Sequence, residues 1–171
     1  MDLTRRQISD NKAGKIFAWF LVLILTIICI NYIDGIFSKV RDIKRKIDIK
    51  QLETALHVYQ NKFNTLPEST DYDFDGWDSS LEPHEHSTEE FINILRQEKI
   101  IDKKNKDPLN QGNYYYLYQK FPAGSYGCER PFAILQIKNF ELNVKDHGSG
   151  SCPEKNFTET ASNGYTLQIF E

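Results

Sequence analysis

The chain has no surplus of positive charge. Its 171 residues hold 21 Lys and Arg against 24 Asp and Glu, a formal net charge of -3. Gripping a run of phosphates needs a basic face, so the balance argues against a nucleic-acid partner. Cysteine is scarce as well, with three in the whole chain, and no His or Cys stands at metal-ligand spacing beside Cys128 or Cys152. Those two lie in Gly- and Pro-bearing loops and read as a disulfide rather than half of a zinc site, the alternative being two unrelated thiols. A bridge implies an oxidising compartment. Also missing is a small-x-small cleavage pattern after the one long apolar run, where Tyr32, Asp34 and Gly35 follow instead. The run therefore reads as a retained anchor and not as a removed signal peptide.

No set of nucleophile, base and acid converges either, so no enzyme is expected. Ser149 stands between Gly148 and Gly150 with Asp146 and His147 beside it. The nucleophile elbow G-x-S-x-G is absent, and sequence neighbours cannot form a triad.

What is present begins with a single long helix in two unlike halves. Residues 1–15 form a short polar tail holding Arg5, Arg6, Lys12 and Lys15. Residues 16–34 are the transmembrane segment: Ile16 to Ile33 carries no charge, has Thr26 and Asn31 as its clearly polar side chains, and is long enough to span a bilayer. Asn31 and Cys29 read there as helix-packing positions. Basic residues flank the run on both sides, so charge alone does not orient it. The expected disulfide does, placing the N-terminus in the cytoplasm and the rest outside.

Residues 35–63 continue as an amphipathic helix. Apolar side chains at Ile36, Val40, Ile43, Ile47, Leu52, Ala55, Leu56, Tyr59 and Phe63 step mostly by three and four, with Lys39, Arg41, Lys44, Lys46, Lys50 and Glu53 between them. Asn64, Thr65 and Pro67 stop it, because the residue before proline is pushed out of the helical region. Residues 64–171 then have the length for one small α+β domain.

Within that domain, Ser87 and Glu90 form a capping box opening a short helix to about Lys99, with Phe91, Ile92 and Leu95 on its apolar face. Four segments follow with strand composition: Tyr114 to Lys120, Pro131 to Ile137, Phe140 to Val144 and Tyr165 to Phe170. They predict an antiparallel sheet of three or four strands, which buries one face on the helix from Ile47 to Phe63 because so small a sheet is marginal alone.

The stretch Asp48 to Gln60 (DIKQLETALHVYQ), the turn Asn64-Thr65-Leu66-Pro67 and the run Lys106 to Tyr116 (KDPLNQGNYYY) resemble the type IV pilin and pseudopilin superfamily, most closely the major pseudopilin of type II secretion. Members similarly carry a DI-x-x-I-x-x-AL-x-x-Y helix, a G-x-Y-P turn and a K-D-P-W-G-N-P-Y-x-Y approach to the first strand. The match covers about residues 16 to 120. It implies a pilin-like fold on a single-pass bacterial inner-membrane helix, with the domain periplasmic or extracellular and like subunits or secretion-machinery proteins as partners. The leader departs from the family: Gly14 is followed by Lys15, and Trp19 stands where the family has glutamate. Of the family's C-terminal calcium loop, Asp146-His147-Gly148-Ser149 is a loose echo.

One local pattern points to a ligand. Asp71, Asp73, Asp75 and Glu82, with Gly76 between, fit D-x-D-x-D-G-x5-E, the loop that wraps calcium in oxygens. Pro67 and Pro83 replace the flanking helices, and Asp78 stands where an apolar residue is usual, so the alternative is a solvated acidic loop with Trp77 packed on the domain. His84 and His86 form an H-x-H that lacks a third ligand and reads as two loop histidines. Tyr114, Tyr115, Tyr116 and Tyr118, at strand spacing, read as half core and half surface. Asn156-Phe157-Thr158 matches a glycosylation sequon of the kind that arises by chance.

Two function classes emerge. The first is a pilin-like structural protein acting through helix association. The second is a non-polymerising single-pass module presenting its acidic loop, with calcium, or its tyrosine strand to a partner.

Overall fold

The computed structural model describes residues 3–70, 76–81, 91–103, 105–161 and 163–171, with side chains considered from Gly14 onward, Asn31 apart. The expected capping box at Ser87 and Glu90 lies outside the described residues. The chain divides into two compact units, Met1–Val40 and Arg41–Glu171. Helix α1, Leu3–Phe63, runs from the first unit into the second.

In the first unit α1 is long and apolar enough to cross a membrane. Its described side chains from Ile16 to Ile33 are exposed all round. Thr26 donates its hydroxyl to the Val22 carbonyl at 2.8 Å, so this polar group is satisfied without a partner helix. Gly35 leaves the helix unbroken.

In the second unit α1 covers one face of a five-stranded sheet ordered β1-β2-β3-β7-β4. The strands are β1 (Asp78–Ser79), β2 (Tyr116–Phe121), β3 (Phe132–Ile137), β4 (Gly148–Ser149) and β7 (Tyr165–Phe170); β5 (Ser151–Cys152) and β6 (Lys155–Asn156) make a separate hairpin. In register, Tyr118 faces Leu135 and Leu135 faces Leu167. The period of two therefore sends Tyr116, Tyr118, Ala133, Leu135, Ile137 and Ile169 toward α1, where they meet Ile49, Leu52, Ala55 and Leu56.

The alternate residues build a second core on the opposite face. Phe121, Phe132 and Ile134 pack there with Phe157 and the half-cystines Cys128 and Cys152. Strand β3 is buried along all six residues. The sheet thus has a layer on each side, where one buried face was expected from sequence.

Three other expectations change. The sheet is mixed, because β4 pairs with β7 in parallel. Gly148 permits this: its φ is 70°, and a Cβ there would lie 2.0 Å from the Thr166 carbonyl oxygen. Among the described residues the second helix is α2, Ile94–Gln97, bounded by left-handed residues at Ile92 (φ 45°) and Lys99 (φ 57°). Buried Asp78 holds the first of these by accepting the Ile92 amide at 2.9 Å. Residues 140–144 form no strand beyond the bridge Asn139–Asn163, because side chains take their amides: Asp42 accepts from Glu141 and Leu142 at 3.0 and 2.9 Å. The stop after Phe63 is as expected, with Asn64 left-handed at φ 55° and its amide bonded to the Gln60 carbonyl.

Candidate functional site

The apolar stripe read along residues 36–63 divides in the structure. Leu52, Ala55 and Leu56 are core, but Ile43 and Ile47 are 50% and 51% exposed, and Ile36 and Val40 are exposed too. One helical step back from Ile49, the core-facing phase reaches Arg45 and then Asp42, both buried. A helix has one phase, and here it favours a charged pair over isoleucines.

Arg45 has no exposed side-chain area. Its Nε and Nη2 donate to Asp107 Oδ2 and Oδ1 at 2.6 and 2.9 Å. Its Nη1 donates to Asp42 Oδ1 at 2.6 Å and Glu141 Oε1 at 2.9 Å. The Tyr114 ring centroid lies 5.0 Å from its guanidinium carbon. Arg41 grips the same Glu141 through Nε and Nη2 at 2.7 and 2.5 Å. Burial opposes the charge on Arg45, yet its bonds to Asp107, Glu141 and Asp42 outweigh that and hold its pKa above the usual arginine range. Asp107 also accepts from the Leu109 and Asn110 amides, at 2.8 and 3.3 Å, shaping the turn at Pro108.

Beside this centre, Tyr116 donates its hydroxyl to Asp48 Oδ2 at 2.9 Å, and Lys44 reaches the same oxygen at 2.6 Å. Tyr118 donates to the Pro67 carbonyl at 2.7 Å. Both phenols are pushed above the ordinary tyrosine value, by burial first and then by neighbouring acids. These two tyrosines are core, while Tyr114 and Tyr115 are half-buried.

The arrangement is a clamp. Its cations and carboxylates are spent on one another, and they fasten α1 to the Asp107-Pro108 turn and to the segment around Glu141. The signal that could have revealed it is the spacing Asp42, Arg45, Asp48 in phase with Ile49, Leu52 and Leu56, together with an Asp-Pro turn that needs a partner.

The other sequence-selected residues lie as follows. Asp71, Asp73, Asp75 and Glu82 fall outside the described residues, as do His84 and His86. Of the same loop, Gly76 takes φ 92°, and Asp78 and Ser79 pair with Tyr118 and Leu117 at the sheet edge. Cys128 and Cys152 form a disulfide, as expected. Gln168 approaches both sulfurs with Nε2, at 3.7 and 3.6 Å. Ser149 lies in β4, while Asp146 accepts the Gly148 amide and His147 Nδ1 lies 3.2 Å from the Gly164 carbonyl oxygen; these contacts do not bring the three together as a triad. In the sequon, Asn156 Oδ1 accepts from the Thr158 amide and hydroxyl. Cys29 is exposed on α1.

Comparison with family models, with curated proteins and with solved structures finds no match.

Proposed function

We propose that the chain is a membrane-anchored, pilin- or pseudopilin-like structural protein of a secretion or pilus-type assembly, acting through helix association and display of its α+β unit. One observation carries the reading. A single helix supplies a membrane-length stretch exposed on every side and then the core of an α+β unit, in the element order of the pilin superfamily. The Lys106-Asp107-Pro108 turn adds support, since Asp107 is the residue to which buried Arg45 of that helix is bound. This reading puts the anchor in a bacterial inner membrane with its N-terminus cytoplasmic, and the Cys128–Cys152 bridge supports that orientation, since a disulfide persists on the oxidising side.

A second reading, a non-polymerising display module, is favoured by Lys15 and Trp19, which depart from the family's leader and glutamate. One experiment separates them. Two differently tagged full-length copies are co-expressed in a bacterial membrane and mildly oxidised, using the exposed Cys29 as reporter. The assembly reading expects mixed-tag species joined through Cys29 and absent in Cys29→Ser. Monomer alone at every expression level refutes it and leaves the display module.

A further inference from the structure

Beside the helix face that the sheet leaves bare, the second unit carries a long open groove. One wall is α1 itself, where Ile43, Ile47 and Val58 are about half exposed over roughly four turns. The opposite wall is the segment after α2, where Ile100 and Ile101 face the same space. Its volume, about 1110 Å³, exceeds the roughly 300–1,000 Å³ of small-molecule pockets. An open trough running along an exposed apolar helix face has the shape in which one helix lays its ridge beside another.

The rim says which helix. Lys46 and Lys50 stand on the α1 side and Lys99 and Lys103 on the other, against a single acid, Asp102. Lys50 is paired with Glu53 and the Lys46 ammonium lies over the Phe140 ring, 5.6 Å from its centroid; Lys99 and Lys103 make no ion pair among the described residues. Within this unit α1 bears Lys44, Lys46 and Lys50 as exposed residues, Lys44 being bound to Asp48. A second copy laid here helix to helix would bring lysine against lysine, and like charges across a contact select against a partner.

We propose that this groove is a docking site for an amphipathic helix of a different protein, whose apolar ridge is flanked by acidic residues. The inference goes beyond the assembly reading, which concerns association through the anchor, and it stands whether or not the anchors associate. The lysines steer and select the partner, and Ile43, Ile47 and Val58 supply the buried contact.

The test uses the full-length chain in neutral-lipid nanodiscs, with empty discs as background. The probes are a labelled synthetic helix bearing Leu at i, i+3, i+4 and i+7 with Glu on both flanks, and its twin with Lys in place of Glu. Fluorescence anisotropy is expected to show the Glu probe binding at least tenfold more tightly than the twin, with the difference shrinking as salt rises. Ile47→Asp, on an exposed position, removes binding. The double reversal Lys99→Glu with Lys103→Glu turns the preference toward the Lys twin, a gain that misfolding cannot imitate. Equal affinities, no binding above empty discs, or a double reversal that leaves the preference unchanged overturns the proposal. So does self-association abolished by Ile47→Asp, which assigns the groove to a second copy, or attachment to anionic vesicles abolished by that change, which assigns it to a membrane.

Discussion

Asp107 receives two hydrogen bonds from Arg45, at 2.6 and 2.9 Å, and neither side chain has any exposed area. Sixty-two positions separate them in sequence, so this pair fixes the turn before β2 onto α1. Removing Arg45 leaves Asp107 buried without a cation, at a cost of roughly 3–5 kcal/mol, whereas removing Asp107 leaves Arg45 the carboxylates of Asp42 and Glu141. Arg45→Ala is expected to destabilise the full-length chain in detergent by that order, and Asp107→Ala by less, each read as a fall in denaturant midpoint. Exchanging both for apolar residues of similar volume is expected to cost less than Arg45→Ala alone, because Asp107 is then not left as a buried charge, while Asp42 keeps the Glu141 and Leu142 amides and Glu141 keeps Arg41. A double exchange as harmful as Arg45→Ala refutes the clamp.

The two phases of α1 are expected to separate in mutagenesis. Leu56→Ala, at a position with 0% exposure, is expected to cost about 2–5 kcal/mol. Ile47→Ala, on the bare face, stays within about 0.5 kcal/mol. The same denaturant series measures both, and similar losses at the two positions contradict the phase described for the helix.

Alkaline pH is expected to unfold the domain through its buried phenols. Tyr116 and Tyr118 have folded-state pKa values raised above the ordinary one, whereas in the unfolded chain each titrates near 10. The folded state then binds more protons than the unfolded state above about pH 10, so stability is complete below that pH and declines as pH rises beyond it. Absorbance at 295 nm checks this. These two tyrosines are expected to ionise together with the loss of near-ultraviolet circular dichroism, and Tyr116→Phe with Tyr118→Phe to lessen the late absorbance step.

The disulfide closes a loop with a sequence separation of 24 and lines the second core with Phe132 and Phe157. Replacing Cys128 and Cys152 by Ser is expected to cost about 2–5 kcal/mol. A thermal melt of the full-length double variant measures it. An unchanged midpoint means that the aromatic packing around Phe157 suffices by itself.

Much of this was legible in the residues, wherever one local force decides. The uncharged run from Ile16 predicts a helix long and apolar enough to cross a membrane, Asn64 and Pro67 predict the helix stop, and the six residues Tyr165–Phe170 match β7. The paired loop cysteines predicted the bridge. What escaped depended on non-local satisfaction of polar groups. Ile43 and Ile47 fit a helical stripe as well as any apolar pair, and only the carboxylates of Asp107 and Glu141, far along the chain, draw Arg45 inward in their stead. Residues 140–144 have strand composition, yet Asp42 on α1 takes two of their amides. The second core was hidden because Pro131 to Ile137 is apolar at nearly every position, a pattern that fits burial on one face or on two.

Strand β3 belongs to both cores at once, its odd-numbered residues facing α1 and its even-numbered ones facing the disulfide layer. Neither layer can therefore melt by itself without stripping one side of the strand that the other layer needs. The two are thermodynamically a single cooperative body, and disorder begun at the Cys128 loop is felt at Leu52 through one thickness of sheet. In native-state hydrogen exchange the amides of β3 are expected to open only with global unfolding, at the same free energy whether the reporter is Ala133 or Ile134.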